Sequence, residues 1–513
     1  MSYRMEVIND LLKALLLGTE KVDVKPLLDR LPSTIQAKIA QLSSEDTETQ
    51  FLQLSSLLLP YEQAGKEFPK IDTVLAISQE ESLMYTANAA TQLLATLLRE
   101  NQTALVLEWL EVCAEKSHII SPEFLPQLLT LSQDNIPLQY SIRKVMGERG
   151  KWLAEMNEDW HLLLKSTEEL WETGRASQRR QLFQYLMQQD QPLAKKLLLE
   201  SWGEESATDR LEFLSIWADY PDAQDISFLD TIRQQDKSKK VSALAKELLL
   251  RQPESMLAQR LSQAGATLLT LKESGVFGLG AAKIEVHPDP THLQIIEELD
   301  LEKESLHKTF SDQEYQAFQL LAIILPQQWE ATLKLAPEKI IKQFLTNKVL
   351  HKYRPALVKA IVFHGNQEWA NSWLKYCSAS DITQQQWQED ALALLPLASQ
   401  DTLLQLFDGK VLKGLLTYNH LLDSLETFNF PWSLKFSKAV MHLLYQVYAE
   451  RGVYYNEVDR MLRLAHRLHS EILAHQQEFT PPANEKRETW RAMTGDLFRI
   501  ITLRTKIKTS FDE

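Results

Sequence analysis

Glycine is scarce in this chain, with 15 in 513 residues, about 3% against a usual value near 7%. Glycine supplies the positive φ of hairpin turns and of loops that wrap phosphates. Its shortage argues against a β-sandwich, a barrel or a dinucleotide-binding α/β fold. Cysteine is scarcer still: Cys113 and Cys377 stand 264 positions apart. Each reads as a small core residue rather than half of a disulfide or a metal site, which fits a reducing compartment. No run of about 18 uncharged apolar residues is present, so no transmembrane helix is expected. The leucine-rich stretch from Leu11 to Leu17 is flanked or broken by Glu6, Asp10 and Lys13. That pattern does not suit a signal peptide. Basic excess is also missing, since the net charge is −14. A field of that sign opposes nucleic acid and anionic membranes. The expectation is a soluble cytoplasmic protein.

Leucine is what the chain has in abundance, with 87 residues. Leucine favours helices and glycine disfavours them, so composition points to an all-α protein. The length allows about three domains or one extended repeat array.

Helical spacing recurs throughout. Leu93, Leu94, Leu97 and Leu98 form one stripe, and Leu138, Ile142, Val145 and Met146 form another. Both follow a 3.6-residue period. Ser121-Pro122 reads as a cap followed by proline at the first helical position. Asn157 reads as a cap whose first turn holds Glu158 and Asp159. The clearest organisation predicts six helices at 177–189, 192–202, 207–219, 224–235, 238–251 and 254–263. These make three helix pairs at the period of HEAT-like units. The best unit pairs Phe228-Leu229-Asp230 with a second helix carrying Val241, Leu244, Ala245 and Leu248.

Residues 265–292 interrupt this texture with four glycines, Gly265, Gly275, Gly278 and Gly280. Aliphatic stretches flank them, which predicts a short β-hairpin or irregular connection between two helical arrays. The expected organisation is an N-terminal helical array at 1–176 and HEAT-like pairs at 177–264. A connection at 265–309 and a C-terminal array at 310–513 with a basic last helix follow. The fold class is an α-solenoid.

Motifs that would carry chemistry are weak. Gly275 to Lys283 lacks the spacing and the hydroxyl of a phosphate loop. His466, His469 and His475 share a predicted helix but lack a metal-ligand pattern, and His287 and His292 flank Pro288-Asp289-Pro290. Adjacent acids such as Glu80/Glu81 point apart on a helix and read as a solvated face. No catalytic, cofactor or metal residue is assigned, and the reading leans away from an enzyme.

Two segments are distinctive. Gly147-Glu148-Arg149-Gly150-Lys151-Trp152-Leu153-Ala154, followed by Asn157 and Trp160, predicts a left-handed turn at Gly147 and a Glu148–Arg149 ion network. Tryptophan and arginine also dominate binding hot spots. That makes Glu148, Arg149, Lys151 and Trp152 candidates for partner binding. Residues 331–360 carry seven basic side chains against Glu338, a net of +6, just after 289–314 with a net of −6. Lys348, Lys352 and Arg354 belong to this basic run. They form a solvated face, pair with the acidic stretch, or meet an acidic partner. Interleaved with Trp329, Phe344 and Tyr353, they also raise nucleic acid as an alternative.

The Gly-Glu-Arg-Gly-Lys-Trp-Leu-Ala signature resembles that of an uncharacterised bacterial family, a domain of unknown function. Leu17-Gly18-Thr19-Glu20-Lys21, Tyr61-Glu62-Gln63-Ala64-Gly65 and Trp171-x-x-Gly174 with Arg179/Arg180 are similar to further segments of it. Lys21 stands where arginine is usual. Family members are often encoded near MoxR-type AAA ATPases, von Willebrand A-domain proteins and SWIM zinc-finger proteins. The resemblance therefore implies an adaptor in an ATPase-linked assembly. Without an assigned chemistry, the expected function is a non-enzymatic scaffold binding proteins on an extended surface. The alternatives are a HEAT-like DNA-processing protein and an unrecognised hydrolase.

Overall fold

The computed structural model describes residues 77–272, 282–379, 384–408, 418–428, 430–451, 455–480 and 488–512, with parts of the first 64 residues. By its contacts the chain forms two units, Met1–Ile77 and Ser78–Glu513. In the first, the helices Ser33–Gln41 and Thr47–Ala64 pack together. Asp46 opens the second of these. Its carboxylate accepts from the Thr49 N–H at 2.8 Å and the Thr49 hydroxyl at 2.6 Å. These two bonds hold the Asp46 carboxyl below its ordinary pKa.

The second unit is built almost wholly of short helices. The six expected between 177 and 263 are present as Ala176–Gln189, Gln191–Ser201, Ala207–Trp217, Ile226–Gln235, Lys239–Leu250 and Met256–Gly265. Their starts follow local chemistry. Asp190, Ser206 and Ser255 each accept an N–H from the first turn of the helix they precede. Such a cap satisfies one of the donors a helix start leaves unpaired. The Leu93, Leu94, Leu97 and Leu98 stripe is buried along Asn88–Arg99.

Successive helix pairs are joined by side chains about one repeat apart. The Arg179 guanidinium donates to both oxygens of Glu205, at 2.7 and 2.6 Å. Lys195 donates to Asp225 at 2.8 Å, and Asp225 also accepts the Trp217 indole N–H at 2.7 Å. Arg210 meets Asp236 at 2.8 Å. Three of these cations also stand over indoles: Arg179 over Trp171 at 5.4 Å, Lys195 over Trp217 at 5.3 Å and Arg210 over Trp202 at 5.9 Å. Further along, Arg354 meets Asp390 at 2.8 Å and Arg460 meets Glu426 at 2.7 Å. Glu205, Asp236 and Asp390 are almost wholly buried, a position a carboxylate tolerates only when paired. Burial still holds the Asp390 carboxyl up at about 6, although Arg354 pulls it down.

Four short strands occur among the described residues. β1 (Met84–Tyr85) pairs in parallel with β2 (His118–Ile119). β3 (Leu269–Lys272) and β4 (Lys283–Val286) pair antiparallel, the hairpin of the two arrangements expected here, with Leu269 opposite Val286 and Lys272 opposite Lys283. The hairpin buries Leu269 and Ile284 and packs on the Gln327–Leu333 helix.

The series of packed helices closes on itself. The Glu488–Thr509 helix, called the closing helix below, packs against Asn88–Arg99 and Thr103–Glu115. Phe511 lies 5.1 Å from Trp109 between ring centroids. Trp109 is fully buried, and its indole N–H donates to the Ala90 carbonyl at 3.1 Å. Arg499 grips the Glu100 carboxylate, and Lys116 pairs with Asp512. On its other side Arg504 donates to the carbonyls of Ala465 at 3.0 Å and Leu468 at 2.7 Å. A helical array normally needs polar caps over its two terminal apolar faces. Here the two faces cover each other. The all-α repeat fold is as expected, and this closure is what the sequence reading lacked.

Arg179→Ala leaves Glu205 buried without its cation and is expected to cost about 3–5 kcal/mol. Arg180→Ala, which breaks the more exposed Arg180–Glu212 pair, is expected to cost less than about 1 kcal/mol. Urea unfolding measures both. Phe511→Ala is expected to cost about 3 kcal/mol. In hydrogen exchange it should loosen residues 88–115 and 488–509 together; loosening of one end alone would refute the closure.

Candidate interaction surface

The Gly147 corner is fixed by a residue far away in sequence. Gly147 takes φ +63° and turns the chain from Ile136–Val145 into the helix Gly147–Met156. The Glu81 carboxylate sits at the start of that second helix. It accepts the Glu148 N–H at 2.7 Å and the Arg149 N–H at 2.9 Å. A negative charge there meets two unpaired donors and the positive end of the helix dipole. Any Cβ at Gly147 would run into the same carboxylate. Glu81 is therefore a cap and not part of a solvated face. No local signal marks it, because its partners lie 67 and 68 residues on.

The side chains of the corner divide by face. Glu148 pairs with Lys151 at 2.7 Å rather than with Arg149. Residues three apart share a helix face and adjacent ones do not. Arg149 and Lys151 are exposed, and Trp152 is half-buried. The Arg149 guanidinium has no ion-pair partner among the described residues. Leu153 and Trp160 pack on the core. Asn157 accepts the Asp159 N–H at 3.1 Å and caps Glu158–Leu164, as its sequence context indicates.

The basic run is partly neutralised within the chain. Lys352 donates to Glu314 at 2.6 Å and stands 5.1 Å over the Phe310 ring. That bond is the main cause of a lowered Glu314 pKa. Arg354 is held by Asp390, and Lys359 lies over Phe318 at 5.6 Å. Lys348 is exposed. Trp329 and Tyr353 are fully buried, so neither offers a face on which a base could stack. The acidic stretch takes other partners too: Glu298 pairs with Arg260 and Asp300 with Lys246.

The remaining candidates have local roles. His469 lies outside any regular helix, and its Nδ1 accepts the Glu471 N–H at 3.3 Å at the start of Ser470–His475. His475 meets Glu478 at 2.7 Å. His292 is buried, and loss of hydration lowers its pKa. His287 contacts the Thr270 hydroxyl at 2.6 Å across the hairpin. Among the described residues no three His, Cys, Asp or Glu side chains are grouped to hold a metal. The Cys113 thiol is buried and pushed up to about 12, which makes it a poor nucleophile. No helix among the described residues is long and apolar enough to cross a membrane. Gly275, Gly278 and Gly280, the Leu17–Lys21 segment and Gly65 lie outside the described residues.

Stacked helix pairs tied at repeat spacing define a helical-repeat protein of the all-α class. Within that class the chain belongs to DUF5691, a family of unknown function whose profile matches residues 10–511. No curated protein and no solved structure matches it significantly.

Gly147→Ala is expected to cost about 2 kcal/mol or more, from left-handed strain and displacement of Glu81. Gly495→Ala, in the closing helix with open space where its Cβ would stand, is expected to gain about 0.5–1 kcal/mol. Thermal melts of the two variants should shift in opposite directions.

Proposed function

We propose that the chain is a cytoplasmic, non-enzymatic scaffold that binds a protein partner through the Gly147–Trp160 corner. The carrying observation is the state of Arg149. Other arginines along the array, such as Arg179, Arg210, Arg354 and Arg460, hold carboxylates of neighbouring helices. Arg149 is exposed and unpaired among the described residues, on a helix whose start is clamped by Glu81. Because Glu81 holds the Arg149 backbone, beside a half-buried tryptophan, the corner itself loses little freedom on binding, which suits a hot spot. Glu148 and Lys151 form the polar rim. Lys352 and Arg354 already satisfy internal carboxylates, which leaves Lys348 as the exposed contribution of the basic run. The partner is a MoxR-type AAA ATPase or a von Willebrand A-domain protein, the classes near which members of the resembling family are often encoded.

Tagged wild-type chain, expressed in its native host, is expected to retain a protein of one of these classes. Arg149→Glu combined with Trp152→Ala should reduce the retained partner at least about tenfold. Circular dichroism should show an unchanged helical content. Recovery of neither class by the wild type, or equal recovery by the variant, counts against the reading.

A further inference from the structure

A cleft of about 960 Å³ runs along one face of the closing helix, bounded by Asn88–Arg99 and by residues 476–480. Its charge is opposite to that of the chain. Arg491, Arg499 and Lys506 line it, and no Asp or Glu does, in a protein of net charge −14. Arg499 is held by Glu100, its Nε 2.9 Å from the carboxylate. Arg491 and Lys506 are exposed and have no ion-pair partner among the described residues. Leu93, Phe498 and Leu503 supply largely buried apolar surface along the same cleft. At Gly495 no atom lies within 4 Å of where a Cβ would stand, so another backbone can come close.

We infer that this cleft is the docking groove for an acidic amphipathic helix of a protein partner, laid along the closing helix. The inference rests on the protein-binding reading above and adds a second contact with a stated chemistry. The two unpaired cations, Arg491 and Lys506, stand fifteen residues apart, about 22 Å along the helix axis at 1.5 Å per residue. Carboxylates two heptads apart on a partner helix are spaced by about 21 Å. Phosphates on a nucleic-acid strand follow at about 3.4 Å of axial rise. The acidic chain as a whole also repels a polyanion. The leucine face of such a helix meets the floor of the cleft, where the edges of Leu93, Phe498 and Leu503 reach the surface, and Arg491 and Lys506 take its glutamates.

The test uses the full chain and a fluorescent helical peptide of about three heptads, with leucine on one face and glutamates two heptads apart beside it. The same peptide with glutamine for glutamate and a single-stranded oligonucleotide serve as comparisons. The acidic peptide is expected to bind, more weakly as salt is raised. Arg491→Glu with Lys506→Glu should weaken it at least about tenfold. Gly495→Leu should block it without lowering the melting temperature, because the added side chain projects into open space. Four results overturn the proposal: no binding of the acidic peptide, equal binding of the glutamine peptide, insensitivity to the charge reversals, or oligonucleotide binding that those reversals abolish. A wild type that retains its partner through the Arg149 corner but ignores the acidic peptide overturns the groove alone. Loss of the scaffold reading shows instead in the capture experiment.

Discussion

Each helix pair in residues 78–513 leaves an apolar face that only the next pair can cover, and the rest of the structure follows from that constraint. Here the buried residues form a main cluster that runs from Ala90 to Phe511 and a second from Ile136 to Trp217, and Trp202 and Phe228 pack against both. Apolar contact alone is indifferent to small slips of one pair on another. The pairs Arg179–Glu205, Lys195–Asp225 and Arg210–Asp236 fix the register, because a buried carboxylate is stable only opposite its cation. The indoles of Trp171, Trp217 and Trp202 beneath those cations add a second directional contact. The constraint also acts at Asn88–Arg99 and Thr103–Glu115, on which Glu488–Thr509 packs. The closing helix resolves it by covering the first helices with the last.

What the sequence makes legible is set by range. Helices from Ala176 to Gly265 could be placed within a few residues, because caps such as Asp190 and Ser206 and the leucine stripes act over one turn. The left-handed turn at Gly147 and the hairpin after Gly265 were legible for the same reason. Glu81 at the start of the Gly147 helix was not, since no periodicity links residues 67 apart. Closure lies further out of reach: Arg499 and Glu100 are 399 positions apart. One trace of it did exist. Residues 1–130 carry a net −8 and the last helix is basic, and the Glu100–Arg499 pair joins those two regions.

The candidate site followed the same division. Sequence reasoning named Arg149 and Trp152 from residue type, and in the structure Arg149 is exposed and Trp152 half-buried on the helix that Glu81 clamps. It also named Lys352 and Arg354, whose charges meet Glu314 and Asp390 inside the chain. Residue type cannot distinguish a cation that faces solvent from one that holds a neighbouring repeat. The burial of Trp329 and Tyr353 removes the stacking surface that made the basic run resemble a nucleic-acid site. The cleft beside the closing helix was invisible for a different reason, because its walls come from residues about 400 apart.

The meeting of Trp109 with Phe511 also orders events during synthesis. Phe511 leaves the ribosome 402 residues after Trp109. At roughly 5–20 residues per second that is a wait of about 20–80 s. Throughout it Trp109 and the helices around it lack the partner that the closing helix supplies. A nascent chain in that state is a natural client for a chaperone and a natural target for proteolysis. Completing the closing helix hides the face, so its exposure marks a chain whose closing helix has not yet docked.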